Sequence, residues 1–384
     1  MPKTNAPAIP DGLTLPVLRA MIDAVDRDVL QLLARRGAIV GEIAHYKRVH
    51  QLGIRDFARE RRVIAERRSR AERLGLSPDV IESMYRLILW ASRDRQAELR
   101  AEVPVDIEPV NVAVIGGCGA MGRMIAEMFA GLSHTVMVAD VDTELTPAEA
   151  AANADVVIIS VPIARTLDVI RDIGPAVQPE ALLADVTSTK SAPLAAMLEA
   201  TEASVLGMHP LFGPGVHSLQ GQRVVLTPGR GDDWLAWMRS MLKARGILML
   251  ETTAEHHDSA MAVVQVLVHF ATEVMGKTLC DLDVDIDETL RFTSPIYLME
   301  MLMTARHFGQ SPDLYANIQM ANPKTDEVTA AFVAAAERLK TAAGARDVDA
   351  YRAMFKEVKK MFGAFTDQAL EQSSFLIDRL VERG

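Results

Sequence analysis

The chain has 384 residues, 49% hydrophobic and 24% charged, which suits a globular protein of two or three domains and excludes a disordered or fibrous one. Two cysteines, Cys118 and Cys280, exclude a disulfide framework and fit a reducing compartment. The net charge of −10 is uneven: residues 1–104 hold 19 Lys and Arg against 14 Asp and Glu, the remainder 22 against 37, so a basic module leads an acidic body.

The opening MPKTNAPAIPDG lacks the apolar core of a signal peptide, and no apolar stretch reaches the roughly 18 residues of a span. The expectation is a cytoplasmic protein without membrane contact. From residue 13, Leu18, Ile22, Val25, Val29, Leu32, Ile39 and Ile43 step by threes and fours, and no proline interrupts Val17–Gly53. That predicts one helix of about 35 residues. An Arg-rich helix at about 56–73 follows, ended by Gly75, and Ser77-Pro78 opens a third at about 78–101. Three helices without strands make a poor isolated monomer, and a long apolar stripe calls for a partner. EVPVDIEP at 102–109 is a linker.

Beyond the linker the pattern alternates. Strand Val112–Ile115 runs into Gly116-Gly117-Cys118-Gly119-Ala120-Met121-Gly122 and a helix. Gly117, Gly119 and Gly122 form GxGxxG: the first allows the tight turn, the second lets backbone approach a pyrophosphate, and the third packs helix on sheet. Strand Thr135–Ala139 ends at Asp140, 18 residues after Gly122. An acid there bonds a ribose 2′-hydroxyl and repels a 2′-phosphate, and Val141 rather than arginine follows, so NAD is favoured over NADP. Strands at 156–161, 181–186, 204–206, 223–227 and 247–251, with helices near 147–153 and 164–173, predict a doubly wound parallel sheet of Rossmann type. From about Glu255 onward the pattern is helical, with breaks around 281–286, 311–313, 322–324 and 344–346.

Certain polar residues fall where apolar ones are due. Arg36 and Lys47, 11 residues apart, share the inward face of the first helix, and buried cations need anions. Arg19 lies 17 residues before Arg36, over 20 Å along the axis and about 100° round it, so it suits a partner's pocket better than its own. On the third helix Ile81, Tyr85, Ile88 and Ser92 lead inward to Gln96. Two loops at strand ends, Asp185–Lys190 and Gly207–Pro214, stand where ligands bind in such sheets, and His209 is a functional candidate. His257 and His269, 12 residues apart, fall 120° apart on one helix, and the histidines lack metal-site spacing, so no metal is expected.

Residues 13–100 resemble the all-helical chorismate mutase domain, through Leu18-Arg19, Leu33-Ala34-Arg35-Arg36, Lys47, Arg55-Asp56, Arg59-Glu60 and Gln96. The resemblance implies an intertwined helical dimer. In it Arg36 and a partner's Arg19 would grip substrate carboxylates, assisted by Arg59. Lys47 and Gln96 would donate to the ether oxygen, Glu60 would hold the ring hydroxyl and Asp56 would support the site. Chorismate is a dianion, and its pericyclic rearrangement to prephenate needs only preorganised charge and a folded substrate.

The rest, to about residue 375, is similar to prephenate dehydrogenases, specifically those fused to a chorismate mutase. GGCGAMG, Ser160-Val161-Pro162, Ser188 with Lys190, GMHPLFGP at 207–214, the helix through His257 and His269, SPIY at 294–297, Arg306 and Ser311–Tyr315 carry that similarity. It implies a nucleotide site at Gly117, Gly119, Ala120, Met121, Gly122, Asp140, Ser160, Val161 and Pro162. It further implies that His209 takes the proton of the ring 4-hydroxyl, that Ser188 holds that hydroxyl, and that Arg306 binds a carboxylate. Lys190, His269 and Tyr315 would line the substrate pocket, and His257 would be structural. Leu298 stands where some relatives carry a basic residue. The expected division is 13–102 mutase, 103–109 linker, 110–252 nucleotide-binding and 253–384 helical substrate-binding and dimerisation domain. The expected partners are chorismate, prephenate, a second copy of the chain and tyrosine as feedback inhibitor. Alternatives are arogenate as substrate, a non-catalytic helical module, or a basic nucleic-acid-binding module; the last lacks an aromatic row or recognition helix.

Overall fold

A computed structural model describes residues 12–99 and 108–381. Helix α1 (Leu15–Val49) has 35 residues, as the uninterrupted period predicts. Helix α2 (Phe57–Arg73) is capped by Asp56, which accepts the Arg59 N–H at 2.8 Å. Helix α3 (Pro78–Glu98) starts at the Ser77 cap with proline in its first turn. The buried hydrophobic cluster of this module is Ala44, Ile54 and Ala97. The stripe expected inside faces outward in the single chain: Ile22, Val25 and Leu32 are 60%, 60% and 64% exposed. The outer side of α3 touches the segment 211–222: the Trp90 and His217 rings lie 5.7 Å apart, and the Ser218 hydroxyl donates to Asp94.

Strands and helices then alternate through β1 (Asn111–Ile115), α4 (Ala120–Ala130), β2 (Thr135–Ala139), α5 (Pro147–Ala152), β3 (Val156–Ile159) and α6 (Ile163–Ile173). They continue through β4 (Leu182–Asp185), α7 (Ser191–Ala200), β5 (Ser204–Pro210), β6 (Arg223–Arg230), α8 (Asp232–Ala244) and β7 (Leu248–Glu251). The sheet order is β2-β1-β3-β4-β5-β6-β7. The expectation of a wholly parallel sheet needs correction, because β6 runs antiparallel to β5. No crossover helix separates Pro210 from Arg223, and a short return can only reverse the strand, whereas α8 carries β6 to the parallel β7. Side chains alternate between two cores: Val112, Val114, Val156, Ile158, Leu182 and Ala184 enter one, and Ala113, Ile115, Val157, Ile159 and Leu183 the other.

Helix α9 (Ala254–Met261) passes through a π-helical turn at Ala262–Leu267 into α10 (Val268–Asp281). This continuous 28-residue helix is long and apolar enough by length and composition to cross a membrane, which corrects the expectation that no such stretch exists. A π turn advances by roughly 80° per residue instead of about 100°, so over its six residues the 120° expected between His257 and His269 closes almost completely. There follow α11 (Ile286–Arg291), α12 (Pro295–Phe308), α13 (Pro312–Ala321), α14 (Thr325–Gly344), α15 (Val348–Phe362) and α16 (Phe365–Val381). The breaks at 292–294 and 363–364 have no counterpart in the sequence pattern. Contacts divide the chain into two units, Met1–Val161 with Thr166–Thr187 and Pro193–Thr252, and Pro162–Arg165 with Ser188–Ala192 and Thr253–Gly384.

Candidate active sites

In the N-terminal helices, Arg36 reaches across to α3. Its guanidinium donates to the Ser92 hydroxyl and to the Ile88 carbonyl at 3.5 Å, while Ser92 itself donates to that carbonyl at 2.6 Å. Gln96, one turn on and 7% exposed, donates to the Ser92 carbonyl at 3.0 Å, which leaves its Oε1 buried without a hydrogen-bond partner. Burial lowers the pKa of Arg36, with Tyr85 opposing and Arg67 adding to the effect. Lys47 donates to the Ile54 carbonyl, beside the Ala44–Ile54–Ala97 cluster. These contacts put Arg36 and Gln96 on either side of Ser92, a residue the sequence pattern marks as inward but not as polar machinery.

Glu60 is held by Arg93 at 2.6 Å and Arg55 at 3.4 Å. Nothing in the sequence of α3 marks Arg93, because its contact with Glu60 on α2 is tertiary. Asp56 spends a carboxylate oxygen on its helix cap. Arg59 and Arg19 are exposed, and no contact joins either to Arg36 among the described residues.

The nucleotide loop follows β1. The left-handed residue is Gly116, at φ +82°, so the tight turn belongs to it rather than to Gly117. A Cβ on Gly116 would lie 2.4 Å from the Ser160 carbonyl, and one on Gly117 2.6 Å from Val138. On Gly122 it would lie 2.3 Å from the Gly116 carbonyl, whereas on Gly119 its nearest neighbour would be 3.3 Å away. Three glycines therefore close the loop on the sheet, and Gly119, the N-cap of α4, is left to face outward. Asp140 takes the Cys118 N–H at 2.9 Å and the Val141 N–H at 2.8 Å. Arg123 ties back to the Cys118 carbonyl at 2.7 Å. Ala120 is exposed beside the cap, while the half-buried Met121 side chain packs against the sheet core. Ser160 and Val161 follow β3 next to Gly116, and Pro162 accepts the Arg165 N–H at 2.8 Å. A loop this closely cradled, opening a helix with free N–H groups and ending near a carboxylate, fits a dinucleotide at the point where strand order reverses between β1 and β3.

His209 lies inside β5, not in the expected loop; it pairs with Val225 and is 2% exposed. The strand continues because β6 supplies partners up to Pro210. Register places Ala139, Ile115, Ile159, Asp185 and Gly207 in one row across the sheet. His209 projects two residues beyond that row, roughly 7 Å past the edge where the glycine loop begins.

The segment 188–192 belongs with the C-terminal helices. Lys190 is fully buried. Its N–H and that of Ser191 donate to the two oxygens of Asp258 at 2.8 and 3.0 Å, and His257 bonds the same carboxylate at 2.8 Å. Burial pushes the Asp258 pKa up, but the bonds from His257, Ser191 and Lys190 outweigh it and bring it down to about 2. Asp258 thus fixes the loop that carries Ser188 and Lys190. Sequence shows only its neighbouring histidines, because the bond spans 68 residues. His269 and Tyr315 meet edge to face at 4.8 Å, and Tyr315 lies close enough to feel the charge of the exposed Arg306. Among the described residues no cluster of His, Cys, Asp and Glu could hold a metal.

Cations held on helices and a nucleotide-binding sheet in one chain are the parts of an enzyme that takes an anionic substrate and a dinucleotide. Residues 18–97 match chorismate mutase type II, 133–250 the nucleotide-binding domain of prephenate dehydrogenase, and 253–357 its dimerization domain. The T-protein of Haemophilus influenzae is 32% identical over 362 residues, 94% of this chain and 96% of that one. The T-protein of Enterobacter agglomerans is 34% identical over 365 residues, 94% and 97% respectively. A prephenate dehydrogenase of A. aeolicus, solved with hydroxyphenyl propionate and NAD+, covers 67% of this chain and 98% of its own at 19% identity and a TM-score of 0.56, which supports the fold. The chain belongs to the T-protein family: it is a bifunctional chorismate mutase and NAD-dependent prephenate dehydrogenase of tyrosine biosynthesis.

Proposed function

We propose that Arg36, Lys47 and Gln96 carry the rearrangement of chorismate, in a pocket completed by Arg19 of the partner subunit, with Arg59, Glu60 and Asp56 around it. Arg36 grips a carboxylate, and Lys47 and Gln96 donate to the ether oxygen as its bond breaks. The Gln96 amide nitrogen supports this, since it carries two hydrogens and the Ser92 carbonyl takes one of them. His209, Ser188 and Arg306 carry the oxidative decarboxylation. NAD at the glycine loop supplies the hydride acceptor. Ser188 orients the ring 4-hydroxyl, His209 takes its proton, and departure of the ring carboxylate as carbon dioxide gives 4-hydroxyphenylpyruvate. Arg306 fixes a substrate carboxylate through its planar fork, while Lys190, His269 and Tyr315 line the pocket.

The observation that carries this reading is the placement of His209, buried at the same sheet edge as the glycine loop. The division at 102, 109 and 252, a homodimer built through α1 and the C-terminal helices, a cytoplasmic location without membrane contact, and inhibition by tyrosine complete the proposal. The test feeds chorismate or prephenate with NAD and follows NADH and 4-hydroxyphenylpyruvate. His209→Asn is expected to lower oxidation of prephenate by about 100-fold or more and to spare prephenate formation. Arg36→Ala is expected to do the reverse. Unchanged chorismate turnover in Arg36→Ala, or arogenate oxidised faster than prephenate by the parent protein, would overturn it.

A further inference from the structure

Three helices of the C-terminal unit meet at a polar cluster. Helix α10 contributes His269 and Glu273, one turn apart; α13 contributes Tyr315 and Gln319, also one turn apart; α12 contributes His307. His307 is 8% exposed, and its ring stacks on Tyr315 with centroids 3.8 Å apart and planes 25° apart. Its Nε2 meets Glu273 Oε1 at 3.0 Å. The other Glu273 oxygen accepts from Gln319. His269 stands edge-on to Tyr315 and 5.4 Å from the His307 ring. Glu273, His307, Tyr315 and Gln319 line one cavity of about 1150 Å³.

A stacked ring is free to slide and tilt, whereas a ring whose nitrogen is tied to a carboxylate is not. Glu273 is itself tied from its other side, so its orientation does not depend on His307 alone. The chain Gln319–Glu273–His307 therefore fixes the plane on which Tyr315 rests, and Tyr315 fixes the edge that His269 meets. Arg306 precedes His307 on α12, so the bond that fixes His307 also fixes the rotation of the helix at Arg306. Burial favours the neutral form of His269, which suits a ring that accepts or donates one hydrogen bond rather than a counter-charge.

We infer that Glu273, His307 and Gln319 are positioning residues of the dehydrogenase site, holding Tyr315 and His269 in the arrangement that receives the substrate beside Arg306. The inference rests on the assignment of Arg306, His269 and Tyr315 to the substrate pocket. It is tested by steady-state kinetics of the full chain with prephenate and NAD. Glu273→Ala is expected to raise KM for prephenate about tenfold, with kcat within about twofold and KM for NAD unchanged. Glu273→Gln keeps an acceptor for His307 and is expected to recover most of that loss. His307→Phe keeps the stack without the bond and should fall between the two.

Unchanged KM for prephenate in Glu273→Ala, with KM raised in Arg306→Ala, would overturn the inference and leave the pocket assignment standing. Equal losses of kcat and of both affinities in Glu273→Gln and His307→Phe would also overturn it, since they signal general loosening. An Arg306→Ala enzyme with unaltered KM for prephenate would remove the pocket assignment, and the inference with it.

Discussion

In the nucleotide-binding sheet, alternate residues of each strand enter one of two cores that the chain closes by itself, and Val112, Ala113, Val114 and Val156 are wholly buried. In α1–α3 the clustered core is Ala44, Ile54 and Ala97, while large aliphatic side chains along α1 face outward. Burying a Leu, Ile or Val contributes roughly 1.5–3 kcal/mol, so the stripe from Ile22 to Ile43 withholds on the order of 10 kcal/mol until another surface covers it. The sheet site is assembled by folding. The helical stripe, uncovered in the single chain, carries Arg36 and ends near Lys47. A cation pocket built this way can draw on two chains, and a nucleotide loop built on parallel strands draws on one.

The sharpest way to break that contrast acts on the sheet. Gly122→Val would drive a side chain into the Gly116 carbonyl, 2.3 Å from the first added carbon. The expected loss in NAD affinity is 2–3 kcal/mol, roughly 100-fold by titration, with chorismate turnover unchanged. Loss of both activities together would show that the helices depend on the loop after all. The converse substitution, Ile22→Asp with Val25→Asp, puts charge on the exposed stripe. Chorismate mutase activity should fall at least about tenfold as the helices lose their partner surface, while NAD affinity holds. If sedimentation and mutase activity are both unaffected, the stripe is not an interface.

A smaller effect concerns acid stability. The Asp258 carboxyl titrates at about 2 in the fold against 3.8 ordinarily. A depressed pKa stabilises the fold above pH 4, and that contribution is lost as pH falls from about 4 toward 2. It amounts to about 2 kcal/mol. Asp258→Asn should be less stable at neutral pH and should show a shallower decline in that window when unfolding is followed by denaturant titration. An identical pH slope in both proteins would refute this account of the loop at Ser188.

Local signals were legible where a short stretch decides its own geometry. The length of α1 follows from an unbroken period, and the glycines announce the loop because no other residue fits. Even there the left-handed turn lies at Gly116, outside the GxGxxG count, since the motif marks spacing and not φ. Residue type marks His209 but not its place, because a following Pro suggests a strand's end while an antiparallel neighbour extends it. Ser92, Arg93, Asp258 and Glu273 owe their roles to residues on other elements, so no window along the chain reveals them. The π turn is equally silent: Ala262–Leu267 reads as ordinary apolar helix.

That turn makes the 28-residue helix a counter running one step out of phase with itself. An α-helix indexes its faces by number, and here the index is reset between His257 and His269. Shortening the stretch by a single residue would leave composition and hydropathy almost untouched and yet rotate everything beyond it by about 100°. His269 would part from Tyr315, and Glu273 from His307, in the same movement. In this segment the chain length is under tighter constraint than the identity of its aliphatic residues, and a deletion is a more disruptive change than any conservative replacement.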